Sequence, residues 1–166
     1  IIGAGNLAEV VRAAQVGING RISAAQEKTL DHKHVAQDAN TFFNVITESF
    51  PEFADIASGD ETVGDMRQKS IMVSVTMIRV LAGVYYNLSN VDHIPRAEIV
   101  SFFQKIAKHT AAPVRAGTKS GDLWINATVD KAFADGASAP GSRSQAVKQL
   151  VDAMTGWYST PPTAFN

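Results

Sequence analysis

The chain has 166 residues, of which 45% are hydrophobic and 19% charged, and a formal net charge of −1; this is the size of one domain with a single core and lies far from the composition of disorder. No cysteine is present, which excludes a disulfide framework, a thiolate nucleophile and a Cys-ligated zinc site. The chain opens on Ile1 without a basic segment, apolar run and small-residue cleavage site, so no signal peptide is read, and a piece of a longer cytoplasmic polypeptide is expected.

The first helix is predicted from Asn6, as N-cap, through Leu7, Val10, Val11 and Ala14 to Gly17, followed by a turn at Asn19-Gly20. Ser23 and Gln26 have capping-box spacing and start a short helix through Glu27 and Leu30. Val35, Ala39, Phe42, Phe43, Ile46 and Phe50 share one face of a third helix, which Pro51 ends. After a polar loop at Ser58-Gly59-Asp60, an apolar stretch runs from Met66 through Ile71, Val75, Ile78, Leu81, Val84 and Tyr85 to Leu88. It predicts a buried central helix over about 66–88. The 18 residues Ile71–Leu88 also have the length of a membrane span. Arg79 at its middle, with Ser74, Thr76 and Asn87, argues against that reading, and no membrane partner is expected.

Gly83 weakens this helix and is read as the place where another helix comes close. Arg79 must be paired or reach water. The expectation is a buried ion pair with a carboxylate of the N-terminal half; an anion-binding role is the alternative. Pro95 opens a further helix with Ile99, Phe102, Phe103 and Ile106 inward and Glu98, Ser101, Lys105 and Lys108 outward. Residues 110–122 read as an irregular excursion that returns through Leu123, Trp124 and Ile125, with a short helix over Val129–Phe133. Ser142 and Gln145 again have capping-box spacing, ahead of a last helix burying Val147, Leu150, Val151, Met154 and Trp157. The expected architecture is all-α: a single-domain bundle of about six or seven helices over residues 1–158, with 159–166 as a tail.

Charge is unevenly spread. Residues 1–65 carry ten acidic and four basic side chains, and residues 66–166 carry six acidic and eleven basic, so the two parts are −6 and +5. Two readings follow: the halves dock on each other, or the second half meets an anionic polymer. For the latter the candidate nucleic-acid-binding residues are Lys105, Lys108, Arg115, Lys119, Arg143 and Lys148, with His109 nearby. Lys105, Lys108 and His109 also sit where positive charge offsets a helix dipole.

Three further motifs bear on function. Gly3-x-Gly5-x-x-Ala8 after Ile1-Ile2 resembles the dinucleotide-binding turn and the opening of pyrroline carboxylate reductases. That chemistry requires a flanking βαβ unit, which the pattern lacks. His34 and Asp38 at i, i+4, with His32, offer two metal ligands on a helix face, too few for a site. Serine, histidine and acidic residues exist for a triad, but no Gly-x-Ser-x-Gly elbow does. No catalytic residue, metal or cofactor is assigned, and an enzyme is not the favoured reading.

The stretch Met66-Arg67-Gln68-Lys69-Ser70-Ile71 followed by Val75-Thr76-Met77-Ile78-Arg79-Val80-Leu81-Ala82-Gly83-Val84-Tyr85 resembles the helical C-terminal part of DGQHR-type, DndB-like proteins associated with DNA sulfur modification. Leu123-Trp124 and the segment from Ala139-Pro140-Gly141-Ser142-Arg143 to Trp157 extend the likeness over roughly residues 60–158. The resemblance implies a bacterial DNA-associated or regulatory protein. The Asp-Gly-Gln-His-Arg element is absent from this chain, so no site residue carries over. A non-catalytic DNA-associated binding or regulatory module is the leading expectation. A helical assembly domain, self-associating as a homo-oligomer, is the alternative, and a nucleotide-dependent reductase the more remote one.

Overall fold

Two serines decide how the most apolar part of the chain folds. The computed structural model describes residues 4–29, 31–125 and 133–165. Its α-helices, in chain order, are α1 (Ala4–Val16), α2 (Ala24–Thr29), α3 (His32–Ser49), α4 (Pro51–Ser58), α5 (Val63–Lys69), α6 (Val75–Tyr86), α7 (Arg96–Ile106), α8 (Lys119–Trp124) and α9 (Ser144–Ser159). The stretch expected to form one helix over 66–88 is therefore divided. Ser70 and Ser74 are both extended; the Ser70 hydroxyl accepts the Met72 N–H at 3.2 Å and the Ser74 hydroxyl accepts the Met77 N–H at 3.1 Å. Each serine is an N-cap, and capping by its own side chain stops helix continuity. Between them lies a 3-10 turn, Ile71–Val73, and beyond α6 the chain widens into a π turn at Asn87–Val91.

The run is nonetheless the centre of the molecule. Ile71, Met72, Met77, Val80, Leu81, Ala82, Val84 and Leu88 have no exposed surface. α6 packs between α1 and α9, while α3 joins α1 to α7. The protein is an all-α, single-domain helical bundle. Among the described residues there is no strand, only an isolated antiparallel bridge between Ser70 and Ala111, and no helix is long and apolar enough to cross a membrane.

Gly83 is the close approach that its sequence position predicts. A Cβ there would lie 2.9 Å from Val151 Cγ2 on α9 and 3.4 Å from Ile18 Cβ, just after α1. Arg79, one turn earlier, meets Glu9 of α1 with Nη1 3.1 Å from Oε2. The expected pairing with an N-terminal carboxylate is thus formed. It lies at the rim of the core, with the Arg79 side chain 22% and the Glu9 side chain 48% exposed.

The inward faces of α3, α7 and α9 follow the sequence pattern. Phe42, Ile46, Ile99, Phe102, Phe103, Ile106, Val147, Leu150, Val151, Met154 and Trp157 are buried. The capping box at Ser23 forms: the Gln26 N–H donates to Ser23 Oγ at 3.2 Å and the Ser23 N–H to Gln26 Oε1 at 2.9 Å. Leu30, the expected end of this helix, lies outside the described residues.

Three local expectations are corrected. α1 starts at Ala4, so Asn6 is inside the helix and not its cap, and Leu7 is exposed. α9 starts at Ser144 with Arg143 extended and no side-chain cap, so the Ser142–Gln145 box does not form. Residues 159–165 are not a free tail, because α9 runs to Ser159 and Thr163–Phe165 form a 3-10 turn that returns Phe165 to the rings of Phe102, His109 and Trp157. α4, unforeseen beyond Pro51, brings Glu52 into the core, where its Oε1 accepts the Ser70 hydroxyl at 2.7 Å.

Candidate nucleic-acid interface

Ion pairing sorts the cations of the basic half. Three of them cross to acids of the first half: Lys69 to Glu61, Arg79 to Glu9 and Arg96 to Glu48. Arg79–Glu9 and Arg96–Glu48 bridge the two oppositely charged parts at their surface, whereas Lys69–Glu61 is a local pair eight residues apart. Lys148 is engaged with Asp152 one turn along α9. Lys105, Lys108, Arg115, Lys119 and Arg143 are all exposed and make no salt bridge among the described residues.

Four of these five come from a short stretch of chain that folds back on itself. Lys105 is in the last turn of α7, and Lys108 follows in a 3-10 turn, Ala107–His109. Arg115 and Lys119 flank the tight turn into α8, whose N-cap is Thr118, with its hydroxyl accepting the Gly121 N–H at 3.0 Å and donating to the Arg115 carbonyl at 2.6 Å. The turn requires glycine at position 121, where a Cβ would fall 1.7 Å from the Arg115 carbonyl oxygen.

His109 is the joint of this lobe and not a surface cation. It is 4% exposed, and its Nδ1 lies 3.3 Å from the Lys119 carbonyl oxygen. Its own carbonyl accepts the indole N–H of Trp124 at 2.7 Å, and the Trp124 ring packs on Phe133 and Trp157. Lys108 and Lys119, eleven residues apart in sequence, are thereby each next to one of the two bonded groups, His109 and Lys119 itself. Further along, Val114 exchanges backbone bonds with Ala137 (2.8 Å) and Gly136 (2.7 Å), and the Ala116 N–H donates to Asp135 at 3.0 Å. The expected short helix over Val129–Phe133 falls mostly outside the described residues, but Phe133 itself is buried.

Arg143 and Lys148 stand apart from this group along the chain. α9 meets Trp124 through Trp157 near its C-terminal end, and Arg143 caps the other end, on the order of 20 Å away by helical rise. The six sequence-predicted cations therefore divide into the four of the α7–α8 lobe, a fifth at the start of α9, and Lys148, which is already paired.

The other candidate motifs do not assemble. Gly5 sits inside α1, Gly3 lies outside the described residues, and the described residues hold no strand to precede or follow the turn. His32, His34 and Asp38 are exposed on α3, and the described residues contain no group of three or more His, Asp or Glu side chains placed to hold a metal ion. His34 and Asp38 instead line an open groove of about 450 Å³ with Arg21 and Val16.

The architecture defines a class no finer than an all-α bundle with a polar-jointed basic lobe. No protein family, curated protein or solved structure matches the chain.

Proposed function

We propose that this domain is a non-catalytic binding or regulatory module that engages DNA through the α7–α8 lobe. The observation that supports this reading most is the sorting of the cations: Lys69, Arg79 and Arg96 of the basic half are paired with carboxylates, whereas Lys105, Lys108, Arg115 and Lys119 stay exposed without a salt bridge among the described residues. Charges that serve only to dock the halves would be expected to face acids. Long cationic side chains at the ends of short, fixed elements reach phosphates, and such contacts position a module on a duplex without reading its bases. The likeness to the helical part of DGQHR-type proteins points to the same partner.

The test is duplex affinity against salt. Four neutralised phosphates give a log–log slope of roughly −3.6. Lys108→Gln with Lys119→Gln should reduce that slope by roughly two, whereas Lys148→Gln, whose ammonium is already engaged, should leave it nearly unchanged. A flat salt response would falsify the reading.

A further inference from the structure

The end of α5 and the start of the basic lobe meet along one short seam. The Ala112 N–H donates to the Lys69 carbonyl and the Ile71 N–H to the Thr110 carbonyl, both at 2.8 Å, so that Ser70 and Ala111 form an antiparallel bridge. On one side of the seam are the acids of α4 and α5. The Lys69 ammonium is paired there with Glu61 and is held above its ordinary value of 10.5, first by that hydrogen bond, with Asp65 and Asp55 adding to it through space. Asp60 follows on the turn after α4, where its N–H donates to the Asp55 carbonyl. Asp60 and Asp65 are exposed and Asp55 is half-buried, and none of the three makes a salt bridge among the described residues.

On the other side are cations of the lobe. Lys108 precedes Thr110 by two residues, Arg115 follows Ala112 by three, and Lys119 is tied to the same joint by the contact of its carbonyl with His109. All three are exposed, and they form no salt bridge with the acids across the seam or with any other described residue. Of the bridge itself, the exposed side chain is only the methyl of Ala111.

Unpaired charges of opposite sign on either side of one line have a definite complement. Such a surface matches itself after half a turn: about a twofold axis at the seam, the acids of each copy face the cations of the other, and the same contact is made twice. A duplex takes up the basic side alone and a basic protein the acidic side alone, whereas a second copy satisfies both. Three carboxylates against three cations also leave the contact without net charge.

We propose that this face pairs with the same face of a second copy of the chain, Asp55, Asp60 and Asp65 of each meeting Lys108, Arg115 and Lys119 of the other. Because these cations also belong to the DNA-binding lobe, the dimer and the DNA-bound state exclude each other, a consequence that rests on the DNA reading; the pairing itself does not.

Sedimentation equilibrium of the full chain without nucleic acid is the experiment. A dimer should form at low salt and weaken as salt rises from about 0.01 M to about 1 M, over which the screening length falls from about 30 Å to about 3 Å. Asp55→Lys/Asp60→Lys makes the face mainly basic, and Lys108→Glu/Arg115→Glu makes it mainly acidic. Each double variant loses four pairs by symmetry, which at roughly 1.4-fold for the weakest exposed pair is a loss of at least about fourfold in its own dimerisation. An equimolar mixture of the two should restore a heterodimer tighter than either variant alone. Circular dichroism checks that both variants are folded. A chain that stays monomeric at low salt, a dimer indifferent to salt, growth beyond the dimer, or a mixture of folded variants no tighter than its components overturns the proposal. Duplex affinity is read separately from its own salt slope, so failure of the DNA reading is distinguishable from failure of the pairing.

Discussion

The hub formed by Ile71–Val73 and α6 and the lobe formed by α7, α8 and the turn between them are both buried at their centres, yet they are held in different ways. In the hub, apolar side chains contact neighbours on every side, and the polar groups are few: Ser70, Ser74 and the Arg79–Glu9 pair at its rim. In the lobe, Ile106, Leu123 and Trp124 belong to the same apolar core, and hydrogen bonds to backbone carbonyls, from Trp124 to His109 and from Thr118 to Arg115, are added to it. The first kind of centre is non-directional and sets stability; the second is directional and sets where charged side chains stand. Substitutions should therefore separate the two.

The largest effect is expected in the hub. Leu81→Ala removes a side chain with no exposed surface and should cost about 2–5 kcal/mol in a denaturant titration. A loss well under that range would show that α6 is not the centre of one cooperative unit. Trp124→Phe keeps most of the ring but leaves the His109 carbonyl unpaired, at about 1–3 kcal/mol. On the proposed DNA reading its distinguishing mark is a reduced salt slope of duplex binding, which Leu81→Ala should not produce in the folded fraction. Gly83→Ala sets a gain of about 1 kcal/mol in helix propensity against the stiff, β-branched Val151 at 2.9 Å. Overpacking costs about 1–3 kcal/mol and outweighs that gain, so a net loss is expected; a stabilised variant would mean that α9 can shift away from α6.

Glu9→Gln should cost only about 0.2–1 kcal/mol, because both members of the Arg79 pair reach solvent. A double-mutant cycle with Arg79→Gln measures it. The smallest effect concerns alkaline pH. The Tyr158 hydroxyl, donating to Glu98, is held above its ordinary value of 10.0, and burial raises Tyr85 in the same direction. Both raised values favour the protonated form in the folded protein. Their contribution is complete below the unfolded tyrosine pKa and is lost as pH rises through the folded values. Tyr158→Phe should remove the part due to Tyr158 from the alkaline limb of stability; an unaltered limb would mean the Glu98 bond does not persist in solution.

The hub is legible in the sequence because burial writes itself into residue type. The apolar run around Leu81 is buried and Gly83 is a close approach, as read, and Arg79 finds an N-terminal carboxylate, though at the rim of the core and not buried within it. Its division is not legible, since Ser70 and Ser74 are tolerated inside helices as well as at caps, and only the tertiary path shows which. The lobe is legible in composition alone. A supply of lysines marks Lys108 and Lys119, but nothing in their spacing reveals that His109 turns inward between them or that Trp124 donates to its carbonyl. Gly121 is the available signal, a glycine three residues after a Thr118 that caps a helix, but Gly117 beside it gives the stretch the look of an irregular loop.

Gly83 also has a kinetic consequence. Its bare face is covered by Ile18, made before it, and by Val151, made long after it. On a ribosome adding roughly 5–20 residues per second, α6 waits several seconds for that second neighbour. Through that interval the most apolar helix of the nascent chain carries an open seam along its Gly83 face.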